Sequence, residues 1–265
     1  MDYSDFEDLR VEVRDGIGHY QIARPERLNA LRTTTFWEIV ELGRRFQVDP
    51  DVRVIVCTHE GRGFCSGADL VDGSDPTSSK WRVETTETDS MGRSVVGLTM
   101  ARIDKPTIAS VNGVAAGAGF AFACSFDLRI VGPGTRFISA FARRALSPDA
   151  GMTYWLPRLV GQGRALELLY TSREVQAEEA VRIGLANEYA EDPDARAFEL
   201  AKQLASGPPL SYMWIKREVQ HSWLATPQAQ TEFEWAAQKI VRHSEDAVEG
   251  RRAFVEKRQP FFLGR

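Results

Sequence analysis

The chain has 265 residues, 43% of them hydrophobic and 26% charged, with a formal net charge of −4 at pH 7. These values are typical of a globular protein with a sizeable core, and they exclude disordered and fibrous classes. The negative charge argues against nucleic acid as the main partner.

The first residues, 1–8, are acidic and lack the basic-then-apolar order of a signal peptide. No uninterrupted apolar run approaches the ~20 residues of a membrane span. The three cysteines, Cys57, Cys65 and Cys124, have no Cys-x-x-Cys spacing, and the four histidines are scattered. We therefore expect a cytoplasmic protein without a metal site, a membrane partner or a disulfide framework.

The first third of the chain predicts a hairpin, a helix and a buried strand. Strand-like stretches flank an Asp-Gly turn, apolar residues then recur at helical spacing up to an Asp-Pro pair, and a β-branched run follows. The predicted elements are strands at 11–13 and 19–22, a helix at 33–46 and a strand at 54–58.

Two glycine-rich segments indicate the two halves of one anion site. The first, 61–70, follows the strand at 54–58, and the second follows a strand at 107–111 and opens an apolar, buried helix at 118–123. Glycines permit unusual turns, and a helix start presents unpaired N–H groups. One N–H from each half could converge on a single oxygen, as in an oxyanion hole.

The rest of the chain predicts a polar loop, two more strands and then helices. Alternation of strand, turn and helix implies a layered α/β core. The predicted elements are a flexible loop at 72–90, a helix at 91–102, strands at 127–131 and 137–139, and helices at 164–170, 177–183, 195–206, 210–219 and 228–242.

These motifs resemble the enoyl-CoA hydratase/isomerase (crotonase) superfamily. The resemblance covers both glycine-rich segments, 61–70 and 105–119, the early Arg-Pro-Glu-Arg-Leu-Asn-Ala-Leu at 24–31, and later motifs at 155–161 and 253–258. It implies a crotonase-like α/β fold, a spiral of β-β-α units spanning residues 1–200, with a helical oligomerisation region at 201–265.

The resemblance also implies a ligand and an assembly. The substrate would be a coenzyme A thioester, with no prosthetic group, and the assembly a homotrimer or a hexamer made of two trimers. Apolar residues on the last helices agree with association. They include Trp214, Trp223, Phe233 and Trp235.

Matching the motifs residue by residue implies specific roles. Ser66 and Ala118 would supply the two backbone N–H donors of the oxyanion hole. The residues that would meet the coenzyme are Arg27, Ala68, Asp69, Leu70, Phe254 and Lys257, the last two reaching a neighbouring subunit.

The sequence departs from the family where hydratases carry two glutamates. The matching positions are Ala121 and Phe141, which cannot transfer protons. Asp149 remains nearby, in a Pro-Asp-x-Gly turn that resembles the phenylacetate-pathway epoxide/oxepin-CoA isomerase type. One carboxylate suffices to move a proton between two carbons, and apolar neighbours would raise its pKa. An aspartate after proline is also a common helix cap, which would lower the pKa instead.

The preferred prediction is therefore isomerisation of an unsaturated acyl-CoA with Asp149 as the proton shuttle. Hydration is the alternative, with a carboxylate such as Glu84 or Glu87 supplied by the 72–90 loop. A third possibility is a non-catalytic acyl-CoA binding protein. Thioester binding is common to all three, and the sequence does not identify the acyl group.

Overall fold

The structure, a computed structural model, describes residues 1–71 and 95–265. Within them the chain forms nine strands and ten α-helices. The strands are β1 (Leu9–Arg14), β2 (Ile17–Ile22), β3 (Val54–His59), β4 (Thr107–Val111), β5 (Val114–Ala116), β6 (Leu128–Val131), β7 (Arg136–Ile138), β8 (Val175–Gln176) and β9 (Glu188–Tyr189). The helices are α1 (Thr33–Val48), α2 (Val96–Arg102), α3 (Ala118–Cys124), α4 (Met152–Val160), α5 (Gln162–Thr171), α6 (Ala177–Arg182), α7 (Pro193–Ala205), α8 (Pro209–Ser222), α9 (Pro227–Arg242) and α10 (Glu245–Glu256).

The strands form two sheets. The larger has the order β1-β2-β3-β4-β6-β9, in which only β1 runs antiparallel to its neighbour. The smaller has the order β5-β7-β8. The β1–β2 turn forms at Asp15 and Gly16, which both have positive φ, as a tight hairpin turn requires. The predicted hairpin is confirmed.

The core consists of two clusters of buried apolar side chains, one on each face of the larger sheet. The strand β3 is buried on both faces, as expected for a parallel strand covered by helices. On one face, α7 packs its alanines against the sheet. On the other lies α3, all seven residues of which are buried. The layered α/β core is confirmed.

The helices after β9 begin with α7, which packs on the sheet. The predicted boundary between residues 200 and 201 is wrong in position, because it falls inside α7. The helices α7 and α8 are instead separated at Gly207 and Pro208, because the prolines at 208 and 209 prevent α7 from continuing.

A buried lysine fixes α8 to the core. Lys216 Nζ donates to Asp127 Oδ2 at 2.8 Å and to the carbonyl oxygens of Met100 and Lys105 at 3.1 and 3.3 Å.

None of the helices in the described part of the chain combines the length and apolar character needed to cross a membrane.

Candidate active site

The two glycine-rich segments lie side by side. Cys65 N–H donates to Val114 O at 3.0 Å, and Ala116 N–H donates to Cys65 O at 2.9 Å. Gly119 permits this approach, since a Cβ there would lie 2.2 Å from Cys65 O. The predicted halves of the site therefore form one surface.

In the first glycine-rich segment, the backbone N–H of Ala68 points away from Leu31, the residue with which Ala68 pairs. Leu31 forms a parallel bridge with Ala68, through bonds from Leu31 N–H to Gly67 O at 2.8 Å and from Asp69 N–H to Leu31 O at 2.9 Å. In such a bridge the flanking residues make the hydrogen bonds, so the N–H of Ala68 faces the other side. It has no partner among the described residues.

The structure corrects the predicted donor in this segment. Ser66 N–H donates to Leu28 O at 3.0 Å and is therefore not available to a ligand. The prediction of Ser66 as an oxyanion donor is wrong for this reason, and the free N–H is that of Ala68, two residues later. The sequence did not reveal this, because Leu28 is distant in the chain.

The second half presents a helix start. Ala118 is the first residue of α3, after Gly117, and its N–H has no intrahelical acceptor. The two halves approach closely: a Cβ placed on Gly67, where φ is +100°, would lie 3.5 Å from Ala118 N. The N–H groups of Ala68 and Ala118, neither of which has an acceptor among the described residues, thus lie close together.

Both residues line a cavity of about 180 Å³. Its other described walls come from α1 and from the stretch that follows β7. The lining residues are Phe36, Ser66, Gly67, Ala68, Leu70, Gly117, Ala118, Ala140, Phe141, Arg144, Leu146, Ser147, Asp149 and Ala150.

Asp149 lines this cavity, as predicted for the proton shuttle. Among the described lining residues it carries the only carboxyl group. Desolvation by the surrounding protein raises its pKa above the ordinary 3.8, although the side chain keeps an exposed face. Nor does it cap α4, since the N-cap is Gly151 and no side chain accepts a hydrogen bond there. The helix-cap alternative is excluded.

The turn that carries Asp149 is held from behind by α2. A Cβ on Gly97 would lie 1.7 Å from Ala150 O, so this contact requires glycine. Trp155 Nε1–H donates to Gly97 O at 2.8 Å and ties α4 to the same point. The position of Asp149 therefore depends on the packing of α2 against the turn.

The two positions that the family resemblance matches to the hydratase glutamates have side chains that cannot transfer a proton. Ala121 is fully buried in α3, and Phe141 contributes an apolar wall of the cavity. Glu84 and Glu87, the alternative carboxylates, lie outside the described residues.

The predicted coenzyme residues of the first segment differ in their surroundings. Leu70 lines the cavity and is 69% exposed, and Arg27 is exposed nearby, its carbonyl oxygen accepting a bond from Ser66 Oγ at 3.3 Å. The side chain of Asp69 pairs instead with Arg24 at 3.0 Å.

Arg24 was not singled out from the sequence. Its guanidinium also lies 3.8 Å from Asp8, so the ion pairs connect the segment carrying Ala68 to the start of β1. The only available signal was the Arg-Pro-Glu motif that contains it.

Phe254 and Lys257 do not reach the cavity within one chain. Both are exposed, Phe254 at 85%, on α10 and at its C-terminal end. Arg144, by contrast, lines the cavity without having been singled out from the sequence. In residues 1–71 and 95–265, no group of three potential metal-binding side chains comes together.

Comparisons with known proteins give a consistent result. The family model described as enoyl-CoA hydratase/isomerase matches residues 12–265. A probable enoyl-CoA hydratase of Rhodobacter capsulatus is 36% identical over 98% of this chain and 99% of its own length. The 1,2-epoxyphenylacetyl-CoA isomerase of Escherichia coli K12 is 33% identical, over 96% and 97%.

The fold also matches solved structures. The enoyl-CoA hydratase of Bacillus anthracis superposes with a TM-score of 0.88 at 28% identity, covering 98% of this chain and 100% of that one.

Proposed function

Because the chain belongs to the enoyl-CoA hydratase/isomerase family of the crotonase superfamily, whose members act on acyl-CoA thioesters, we propose that it shifts a double bond within an unsaturated acyl-CoA. The predicted crotonase-like fold is confirmed. The finer assignment rests on the contents of the cavity.

The thioester oxygen accepts hydrogen bonds from the N–H groups of Ala68 and Ala118. These donors are already oriented and unpaired, so they stabilise the negative charge that develops on this oxygen when the neighbouring carbon loses a proton. The N-terminus of α3 contributes its positive end to the same charge.

Asp149 moves the proton. Its carboxylate removes a proton from C2 of a 3-enoyl-CoA, and the electron pair passes into an enolate held by the two N–H groups. The protonated carboxyl group then returns the proton at C4, which leaves the double bond between C2 and C3. No atom is gained or lost, and the raised pKa suits a group that must act as both base and acid.

The observation that carries this proposal is that Asp149 supplies a carboxyl group to the cavity, whereas the two positions matched to the hydratase glutamates have none. Hydration requires a held water and a second proton carrier, whereas the matching positions are Ala121 and Phe141. The similarity to the 1,2-epoxyphenylacetyl-CoA isomerase adds support for isomerase chemistry.

Hydration remains the second candidate, because the Rhodobacter capsulatus relative is named a probable hydratase. It would use Glu84 or Glu87, in the stretch that the structure does not describe.

We further propose that the chain forms a homotrimer or hexamer through the helices after residue 207. In such an assembly Phe254 and Lys257 would bind the nucleotide of coenzyme A held by a neighbouring subunit. Lysine supplies a point charge for phosphate.

The test is incubation of the purified protein with a 3-enoyl-CoA and, separately, a 2-enoyl-CoA. Product mass separates the reactions, since hydration adds one water and isomerisation adds nothing. We expect products of unchanged mass that chromatography resolves from the substrate. A product heavier by one water would favour the hydratase, and binding without turnover of either substrate would favour a non-catalytic protein.

A further inference from the structure

The part of the cavity wall that the structure describes contains one cationic side chain. Arg144 is the only basic residue among the described residues that line it. The other described polar side chains of the lining belong to Ser66, Ser147 and Asp149. A simple unsaturated acyl chain has no group that would use a guanidinium, so the position of Arg144 needs another explanation.

A hydrogen-bonded turn at residues 141–146 places the two adjacent arginines, Arg143 and Arg144, in different surroundings. Arg144 N–H and Leu146 N–H both donate to Phe141 O, at 2.9 and 3.1 Å, and Ala145 has a left-handed φ of 55°. Arg143 donates to Ser172 O at 2.5 Å and does not line the cavity. Arg143 therefore anchors the turn and Arg144 is presented by it.

The guanidinium of Arg144 has no partner among the described residues. In the described part of the chain it makes neither an ion pair nor a side-chain hydrogen bond. It also does not neutralise Asp149, because burial raises the pKa of Asp149, whereas a close cation would lower it. An anion bound by Arg144 would thus leave the proton carrier free to act.

We propose that Arg144 binds a carboxylate carried by the acyl group, so that the preferred substrates are acyl-CoA thioesters with a second, free carboxylate. This inference rests on the proposed function, which places the acyl group in this cavity. A phosphate of coenzyme A offers the same oxyanion chemistry, but Arg144 belongs to the Phe141–Asp149 wall, whereas the coenzyme is assigned to the wall at Leu70. The guanidinium fork matches the planar geometry of a carboxylate.

The test is equilibrium binding of saturated thioesters, which the enzyme cannot isomerise. Succinyl-, glutaryl- and adipoyl-CoA are compared with butanoyl-, pentanoyl- and hexanoyl-CoA, their neutral counterparts of equal length. The wild type is expected to bind at least one carboxylated member about twofold to fivefold more tightly than its counterpart, a range suited to an ion pair open to solvent. This preference should weaken as salt is added.

The variant Arg144→Gln should lose the preference, and Arg144→Lys should recover part of it. Arg14→Gln removes the same charge from an exposed site outside the cavity lining and should keep the preference. Free coenzyme A serves as the probe for the phosphate alternative, and its affinity should be the same for wild type and Arg144→Gln.

Three results would overturn the inference. These are no preference in the wild type, a preference that persists in Arg144→Gln, or equal weakening of both thioesters and of free coenzyme A, which would assign Arg144 to phosphate. Failure of every thioester to bind would contradict the proposed function as well, whereas binding without preference contradicts this inference alone.

Discussion

At the scale of single residues, the protonation of Asp149 links activity to stability. Its pKa in the folded chain lies above the ordinary 3.8, so the folded state holds this proton more tightly than the unfolded state does. The free energy of unfolding therefore falls as pH rises through the interval between these two pKa values, and the penalty persists at neutral pH.

Asp149→Asn should consequently be more stable than the wild type at pH 7 while losing activity. Well below pH 3.8 Asp149 is protonated in both the folded and the unfolded chain, and the difference in Tm between the wild type and the variant should disappear. Thermal unfolding at the two pH values measures this. A variant less stable than the wild type at pH 7 would show that the carboxylate is structurally favourable.

The N–H of Ala118 can be removed by a substitution that the helix tolerates. Ala118 is the first residue of α3, a position where proline fits because its missing N–H is not used in the helix. Ala118→Pro should lower kcat about 100-fold to 1000-fold, the usual effect of losing one oxyanion donor. Ala118→Gly keeps the N–H and should retain most activity; equal losses in both variants would contradict the role of the N–H.

At the scale of elements, the close contact between α2 and the turn that carries Asp149 leaves no room for a larger side chain at Gly97. Gly97→Ala would place a methyl group 1.7 Å from Ala150 O, forcing backbone to move. We expect destabilisation of about 1–3 kcal/mol and reduced kcat, measured by denaturant unfolding and turnover.

Gly163→Ala is the matched control, in α5. A methyl group there meets no atom within 4 Å. It should stabilise the protein by less than about 1 kcal/mol, the figure for a helix interior, because Gly163 lies in the first turn of α5. Similar behaviour of the two variants would argue against the contact at Gly97.

The elements near the site could be predicted because their signals are local. The β-branched runs at 54–58 and 107–111 and the apolar run at 118–123 each correspond to an element of the structure within a residue or two. The donor could not be predicted correctly. The choice between Ser66 and Ala68 depends on a hydrogen bond to distant Leu28, which local sequence does not encode. The uncommitted state of Arg144 likewise depends on tertiary contacts.

At the scale of the whole molecule, the segment from α8 to α10, including its connections, leaves large apolar side chains exposed. Such surface is unusual for a monomer and typical of an interface. Among these side chains, Leu224 is 86% exposed, Phe254 85% and Trp235 58%.

Light scattering should therefore give a mass of three or six times 29.7 kDa. Substituting Trp235 with lysine should shift the mass toward the monomer if this surface forms the interface, because a charge is costly to bury there. Gln162→Lys, which adds the same single charge at an exposed position of α5, outside this surface, tests whether added charge alone has this effect. A monomeric wild type at micromolar concentration would contradict the proposed assembly.

The central claim is that Asp149 carries the proton while backbone N–H groups hold the thioester. The most direct measurement compares wild type and Asp149→Asn for both turnover of a 3-enoyl-CoA and equilibrium binding of a saturated acyl-CoA. We predict that the variant loses about 100-fold to 10,000-fold in turnover, the range for a general acid–base group, with binding nearly unchanged. A double-bond shift that continues at the wild-type rate in Asp149→Asn would contradict the account.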